Sequence, residues 1–463
     1  MKKFMTQLLG GVAAVLFLSS PAWGAGFLIF EQGAKAMGMA GAFTATADDP
    51  TTVFNNPAGI TQLEGTQISF GNTFIRNDQS YDVDSALIVG KTYHEEMGSK
   101  TFFLPHLYVT QKYNDRLSVG FGVFSPFGIG TDWADNSVGN SVANETTIKT
   151  YNLNPNVAYK ITPKLSLALG VNYIRTNIQI QRRIGAESFV PGVTPVMSYE
   201  VLGQEQLGRL QVDGRGGGWA YNVGLLYKIN ESWQAGFSYR SDYKIEISRS
   251  QSSVTWSKSS KLLSDLSVLN PALAAAPFNP LVNSSTEGFT RLNLPGIFLA
   301  GVSTTMFDQW NIEFDVQYTT WNHFDDIVIE VEPPLNLNPF LPGIKPGVDI
   351  TQDTLPALQE DWENGWGFHL GTEYHYTENF AVRTGYFYDK NPIPDRTLGP
   401  ILPDSDRQSF SLGCGYTKGN WTMDAAYMYS HFKNRSTDKN YQNFNASYKS
   451  DFQLLGLTLT RKL

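Results

Sequence analysis

Residues able to do covalent or metal chemistry are few in this chain and poorly placed for it. The six histidines, His94, His106, His323, His369, His375 and His431, are scattered, with no HExxH and no GxSxG among them. His369 and His375 lie six apart, so on a strand they share a face, but a zinc site needs three or four ligands and no others stand with them. Cys414 is alone, which rules out an internal disulfide framework. Gly214, Gly216, Gly217 and Gly218 open a strand instead of joining a strand to a helix, so they are a weak phosphate cradle. No catalytic residue, metal or cofactor is expected, and an enzyme is the least favoured class.

The elements that would have to position any site are strands. The clearest runs from Trp310 to Tyr318, where Trp310, Ile312, Phe314, Val316 and Tyr318 alternate with Asn311, Glu313, Asp315 and Gln317. Leu165 to Tyr173, Trp219 to Tyr227 and Trp233 to Tyr239 alternate in the same way, with aromatics at the ends of several apolar faces. Alternation alone fits both a soluble sandwich and a membrane barrel. The connectors discriminate. Six are tight, at Asn114-Asp115, Thr162-Pro163, Asn230-Glu231, Phe307-Asp308, Glu378-Asn379 and Gly419-Asn420. Seven are long, at 78–98, 127–144, 183–215, 253–288, 331–362, 391–404 and 434–448. Short and long connectors alternate throughout, so the chain reads as an all-β, fourteen-stranded antiparallel barrel spanning an outer membrane. Closure removes the unpaired edges of so large a sheet.

Composition agrees. Charged residues make up 17% of the chain, below the ~25% usual for globular domains, while aromatics reach 13%. Net charge is −8, or −10 once Lys2 and Lys3 have left, which argues against a nucleic-acid partner. Lys2 and Lys3, the apolar run Leu8 to Leu18 and Ala22-Trp23-Gly24 read as a signal peptide over residues 1–24. The run is shorter than the ~20 residues a spanning helix needs.

Residues 25–63 break the pattern. They are rich in small residues and lack alternation, and Asn56-Pro57-Ala58-Gly59 is turn chemistry. They are expected to form a compact N-terminal plug with short helices, inside a barrel over residues 64–463. Two outer loops are not simply polar. The loop at 183–215 carries Phe189, Val193, Met197 and Leu202, and that at 253–288 carries Leu262, Leu266, Leu269 and Leu273 at near-helical spacing. These residues either cover one another over the barrel mouth or form an apolar groove where a hydrophobic ligand first lands. The last strand carries Leu455, Leu457, Leu459 and Leu463 on one face, and Arg461 is expected to snorkel at the periplasmic rim.

The stretches AGF, GAKAMGMAGAFTATADD and NNPAGI, taken in order, resemble the FadL/TodX family of outer-membrane transporters for long-chain fatty acids and other hydrophobic compounds. GWAYNVGLLYKINESWQAGFSYRSDYKIEI resembles that family's sixth and seventh strands, LPGIFLAGVSTTMFDQWNIEFDVQYTTWNHF its eighth and ninth, and NPIPDRTLGPILPDSDRQSFSLG a loop and strand near its C-terminal end. The resemblance implies a passive uptake channel. A ligand would land in the groove of the two outer loops and enter an apolar lumenal site. Movement of the hatch around Ala25, Gly26 and Phe27, with Asn56, Pro57 and Ala58 as its second motif, would open a path. Exit would be sideways into lipid at a kink in the third strand, here RLSVGFGVFSP, with Gly120, Gly122 and Pro126 suited to a bend and a gap. A monomer is implied, with a hydrophobic ligand, membrane lipid and lipopolysaccharide as its partners.

The ligand head group is where the chain departs from the family pattern. By position from GVNY, one head-group cation falls on Arg182; the second position is Glu363, where the family has a lysine. Either another cation substitutes, with Arg383 and Arg407 as candidates, or the ligand is neutral, or Glu363 pairs with Arg182 structurally. The other classes are a general diffusion porin, disfavoured by the plug and apolar loops, and an outer-membrane hydrolase.

Overall fold

The computed structural model describes residues 26–188, 190, 192–204, 206–256, 284–324, 327–328, 330–336, 351–354 and 360–463. The expected signal peptide, Ala25, Phe189, Leu262, Leu266, Leu269 and Leu273 lie outside these residues.

Fourteen antiparallel strands close into a barrel. The first six are β1 (Thr66–Asp84), β2 (Thr101–Lys112), β3 (Leu117–Phe124 and Gly128–Asp132), β4 (Glu145–Thr162), β5 (Leu165–Ile184) and β6 (Gly208–Lys228). Next come β7 (Trp233–Arg240 and Tyr243–Trp256), β8 (Ser284–Leu294 and Ile297–Thr304), β9 (Trp310–Thr319 and Glu330–Asn336) and β10 (Thr351–Thr354 and Gly365–Thr377). The last are β11 (Phe380–Asp389), β12 (Arg407–Lys418), β13 (Trp421–Ser436) and β14 (Ser447–Lys462). Closure is made by β1 on β14, from Gln67↔Lys462 to Asp82↔Ser447. A short extra strand, Thr92–Glu96, folds back on the outer end of β1.

All six tight turns fall where the sequence places them, but the strands run further outward than expected. β5 and β6 leave a loop of 185–207 instead of 183–215, because Gly214 to Gly218 continue the ladder. A side chain at Gly216 or Gly218 would meet the β7 backbone at Glu246 or Lys244. β7 and β8 likewise extend to Trp256 and from Ser284.

The barrel turns a soluble core inside out. On β9, Phe314 is 48% exposed while Glu313 and Asp315 are fully buried. A sandwich would bury the opposite face, whereas here the apolar face meets lipid. Aromatic pairs mark the outer interface, with Tyr173 and Trp219 at 4.8 Å, Tyr239 and Phe298 at 4.4 Å, and Tyr318 and Trp366 at 4.6 Å. At the other end, Arg461 lies 5.0 Å from the Trp421 ring centre.

The ladder is interrupted between β2 and β3. Pairing of β2 with β3 stops at Leu107↔Val123, so Thr101 to His106 pair with β1 alone. The outer piece of β3, Gly128–Asp132, pairs with β4 alone. Proline at 126 cannot donate to a ladder, and the β3 break falls there.

Residues 26–63 fill the lumen with α1 (Ala34–Gly38), α2 (Thr52–Asn55) and a 3-10 turn over Pro57–Gln62. Lumen-facing glycines make room for this hatch. A Cβ on Gly371 would come within 2.5 Å of the Met39 carbonyl oxygen, and one on Gly413 within 3.0 Å of Gly38 Cα. The hatch backbone is then satisfied by the wall. Phe43 and Thr44 donate their N–H groups to Asp315 Oδ2 at 3.0 and 2.9 Å, and Ala45 and Thr46 donate theirs to Glu313 at 2.6 and 2.8 Å. Asn56 caps the 3-10 turn at the Ala58 N–H, and its amide donates to Thr44 O and to Leu225 O on β6.

A charge-assisted hydrogen bond contributes ~1.5–3 kcal/mol, and ~1.4 kcal/mol is tenfold in an equilibrium. Removing both charges in Glu313→Gln/Asp315→Asn is therefore expected to speed amide exchange at Phe43 to Thr46 at least about tenfold. Heat-modifiable gel migration should stay that of a folded barrel; unchanged exchange would show that the carboxylates do not hold the hatch.

Candidate functional site

Above the hatch, toward the outer loops, lies a cavity of about 450 Å³. Its walls mix apolar and polar groups: Ile129 from β3, Ile148 from β4, Ile180 from β5, and Ile401 and Leu402 from the loop before β12, with Thr146, Glu187, Glu360 and Asn440 among them. Val193 and Pro195 enter from α3 (Pro195–Leu202) and the residues before it, where Thr194 caps the helix through the Met197 N–H. Ring side chains of Phe324 and Trp362, 4.7 Å apart, line it as well.

Those two rings also grip the start of the hatch. Phe27 is fully buried, with its ring 5.1 Å from Phe324, 5.8 Å from Trp362 and 5.0 Å from Trp321. Gly26 has φ 63°, and a Cβ there would enter the Trp321 ring, so only glycine fits. Its N–H donates to Asp404 Oδ2 at 2.7 Å. Burial pushes the Asp404 carboxyl up to about 8, against the pull of that N–H. Beyond Phe27 the chain enters the β3 break: Leu28 bridges Phe127, Ile29 N–H donates to Pro126 O at 2.9 Å, and Gly128 N–H to Phe27 O at 3.0 Å. One arm, Gly26 to Ile29, therefore touches both the aromatic lining of the cavity and the interruption in the wall.

The sequence-derived head-group candidates divide. Arg182 faces the cavity near the outer end of β5, with no hydrogen bond or ion pair to a described residue; the charge acting on it is Glu187. Burial holds the Glu187 carboxyl above its usual range. Glu363 is exposed and outside the lining, and its N–H donates to Pro392 O, so it makes no pair with Arg182. Arg383 is buried lower down against Glu373 and Asp424, with Lys35 of α1 reaching Glu373 at 3.4 Å. Arg407 packs against the rings of Phe30 and Phe387 and pairs with Asp389 at 3.1 Å and Glu31 at 3.7 Å. Both arginines are spent on holding the hatch. The second cavity cation is Arg396, bound at 3.0 Å to Asp361 and present in the lining. It lies in an irregular proline-rich loop, where no periodicity could have pointed to it.

Met197 and Leu202 are half-buried on α3. Gly120 and Gly122 face the lumen: a Cβ on either would lie 2.9 Å from Val53 of the hatch. They make room for the plug, while the break itself is at Pro126. His369 donates from Nδ1 to Ala40 O, 2.8 Å away, and stacks on Phe387; His375 sits 3.2 Å from Glu373.

A plugged barrel with this arm and cavity agrees with the outcome of comparison. The family model for outer membrane protein transport proteins (OMPP1/FadL/TodX) matches residues 15–463. The chain belongs to this family. It is 27% identical over 430 residues to the long-chain fatty acid transport protein of Salmonella typhi, and 26% over 438 residues to that of Escherichia coli strain K12, covering 90% of both chains in each case. Among solved structures, a Pseudomonas aeruginosa FadL homologue superposes with TM-score 0.74 at 19% identity, covering 95% of this chain and all of that one. The Pseudomonas putida toluene transporter TodX gives 0.63 at 15% identity, covering 95% and 99%. The protein is thus an outer-membrane member of a transporter family.

In this FadL/TodX barrel, Phe27→Ala would leave a void among the rings, and such truncations cost ~3–5 kcal/mol in a packed core. Because only the arm depends on Phe27, the expected result is faster amide exchange at Leu28 and Ile29, with the exchange of Phe43 to Thr46 unchanged. Equal loosening of both segments would mean that the arm does not move separately.

Proposed function

We propose that the chain takes up hydrophobic molecules passively across the outer membrane, with long-chain fatty acids as the first-choice cargo. The ligand lands on the outer loops, fills the cavity and displaces the arm through Phe324, Trp362 and Phe27. It then leaves sideways through the β3 break. The observation that carries this is the arm Gly26 to Ile29, packed at one end against the cavity lining and at the other in the break. The acyl chain supplies the drive. Each CH₂ moved out of water contributes ~0.8 kcal/mol, a gain that exit into lipid keeps and exit into water forgoes.

A carboxylate is favoured by Arg182, which has no ion pair with a described residue, and by Arg396, which also lines the cavity and is paired with Asp361. The relatives in Salmonella typhi and Escherichia coli named for long-chain fatty acids point the same way. A monoaromatic hydrocarbon is the second choice, favoured by the rings of Phe324 and Trp362 and by the likeness to a toluene transporter.

Two experiments test this. Arg182→Ala should weaken oleate binding about tenfold or more and leave toluene binding unchanged, since a hydrogen bond to a charged group contributes ~1.5–3 kcal/mol; Glu363→Lys should alter neither. Equal losses for both ligands would sink the carboxylate reading. Cysteines at Leu28 and Phe127, bridge partners within disulfide reach, should block uptake when oxidised and restore it on reduction. Full uptake by the oxidised form would mean that cargo passes without moving the arm.

A further inference from the structure

Charges on the outside of the barrel, above the outer aromatic girdle, are unevenly distributed. Around β1, β13 and β14 they are paired: Arg76 with Asp78, His431 with Asp451, and Lys449 with Asp82. Across β4 to β8 the outermost cations, Arg183 and Arg209, reach Asp135 at 3.9 and 3.7 Å, but those nearer the girdle do not. Lys149, Arg175, Arg215, Lys244 and Arg291 occupy outward positions next to inward-facing Ile148, Ile174, Gly214, Ile245 and Leu292. None of the five makes an ion pair or a side-chain hydrogen bond with a described residue. Acids share the face: Glu145 on β4, Asp213 on β6, Asp242 and Glu246 along β7, and Glu287 on β8. Asp213 already accepts from Gln211, and Glu246 lies opposite Arg291 in the ladder without an ion pair to it.

The register gathers three of these cations. Lys149 lies opposite Asn177, and Asn177 opposite Arg215, in one row across β4, β5 and β6. Arg175 is one step nearer the membrane, opposite Tyr151 and Gly217. It is therefore diagonal to both Lys149 and Arg215, at the ~7–8 Å of such neighbours. Beside Gly217 the space is taken by the Tyr173 hydroxyl, 2.8 Å from where a Cβ would stand. Directly below stands the girdle pair Tyr173 and Trp219, which fixes the depth: the cations are in the head-group layer and the strands beneath are in hydrocarbon. Below the girdle the same face offers Val157, Leu169 and Val171, each at least half exposed.

Three cations held within reach of one another, with Asp213 two residues along β6 from Arg215, offer a multivalent anion more charge than that one carboxylate balances. Arginine pairs and lysine suit a phosphate, by fork geometry and by charge respectively. The depth requires that the phosphate belong to a lipid whose acyl chains run down the apolar strands. We propose that this face binds a phosphorylated, acylated glycolipid of the outer leaflet, its phosphate seated among Lys149, Arg175 and Arg215. The site is on the outside of the wall and does not depend on what the lumen carries.

The test uses full-length protein in detergent, its folded state checked by heat-modifiable migration. Native mass spectrometry compares binding of bis-phosphorylated lipid A with the same lipid A stripped of both phosphates. The phosphorylated form should bind at least about tenfold more tightly. Arg175→Gln/Arg215→Gln should lose that preference, and Lys449→Gln on the far side should keep it. Inorganic phosphate at matched concentration should not displace the lipid. Equal binding of the two lipid A forms, an unchanged preference in the double variant, or displacement by phosphate alone would each overturn the proposal.

Discussion

The whole arrangement depends on satisfying buried backbone groups inside a closed wall. A plug lodged in a barrel takes its N–H and C=O groups away from bulk water, and each unpaired one is costly. Short helices satisfy some of them. The turn at Phe43 to Ala47, closed by the Ala47 N–H on Phe43 O, leaves the N–H groups of Phe43 to Thr46 to other acceptors, and two carboxylates on a single strand, Glu313 and Asp315, take them. The polar face of β9 is therefore neither solvated surface nor pore lining; it is the hatch's hydrogen-bond partner. Glycines opposite Met39 and Gly38 let the backbones come close enough for the remaining contacts.

The hatch is held unequally along its length. Its body, from Glu31 to Gln62, is tied by ion pairs through Arg407 and Lys35 as well as by the Glu313 and Asp315 bonds. The arm, Gly26 to Ile29, is held by three hydrogen bonds and by the packing of Phe27 among rings. Apolar ring packing is the interaction that an apolar ligand can compete for, whereas ion pairs deep in the lumen are not. The part of the plug held chiefly by apolar packing is thus its first four described residues.

Much of the architecture was legible from residue order. Strict alternation in Trp310 to Tyr318 and the regular exchange of tight and long connectors gave fourteen strands and every tight turn. Both signals are local, because a strand's period of two and a turn's residue preferences are set by nearest neighbours. The limits of the long loops were less legible. Gly214 to Gly218 read in sequence as the opening of a strand, yet they lie in the middle of a ladder that starts at Gly208, where β7 passes too close for side chains. The glycines at 120 and 122 suggested an opening, while the fold uses them to seat Val53.

What the sequence alone determined, then, is a two-faced, closed sheet with a small-residue plug, because those features follow from periodicity, composition and turn chemistry along the chain. Which basic residue faces the cavity was decided by tertiary structure. Arg182, Arg383 and Arg407 are equivalent as residue types, but two of them meet carboxylates from distant strands or from the plug, and one does not. Arg396 joins Arg182 from a loop more than two hundred residues away along the chain. Charge partners separated by that much sequence are brought together only by closing the barrel, so no local pattern could have foretold them.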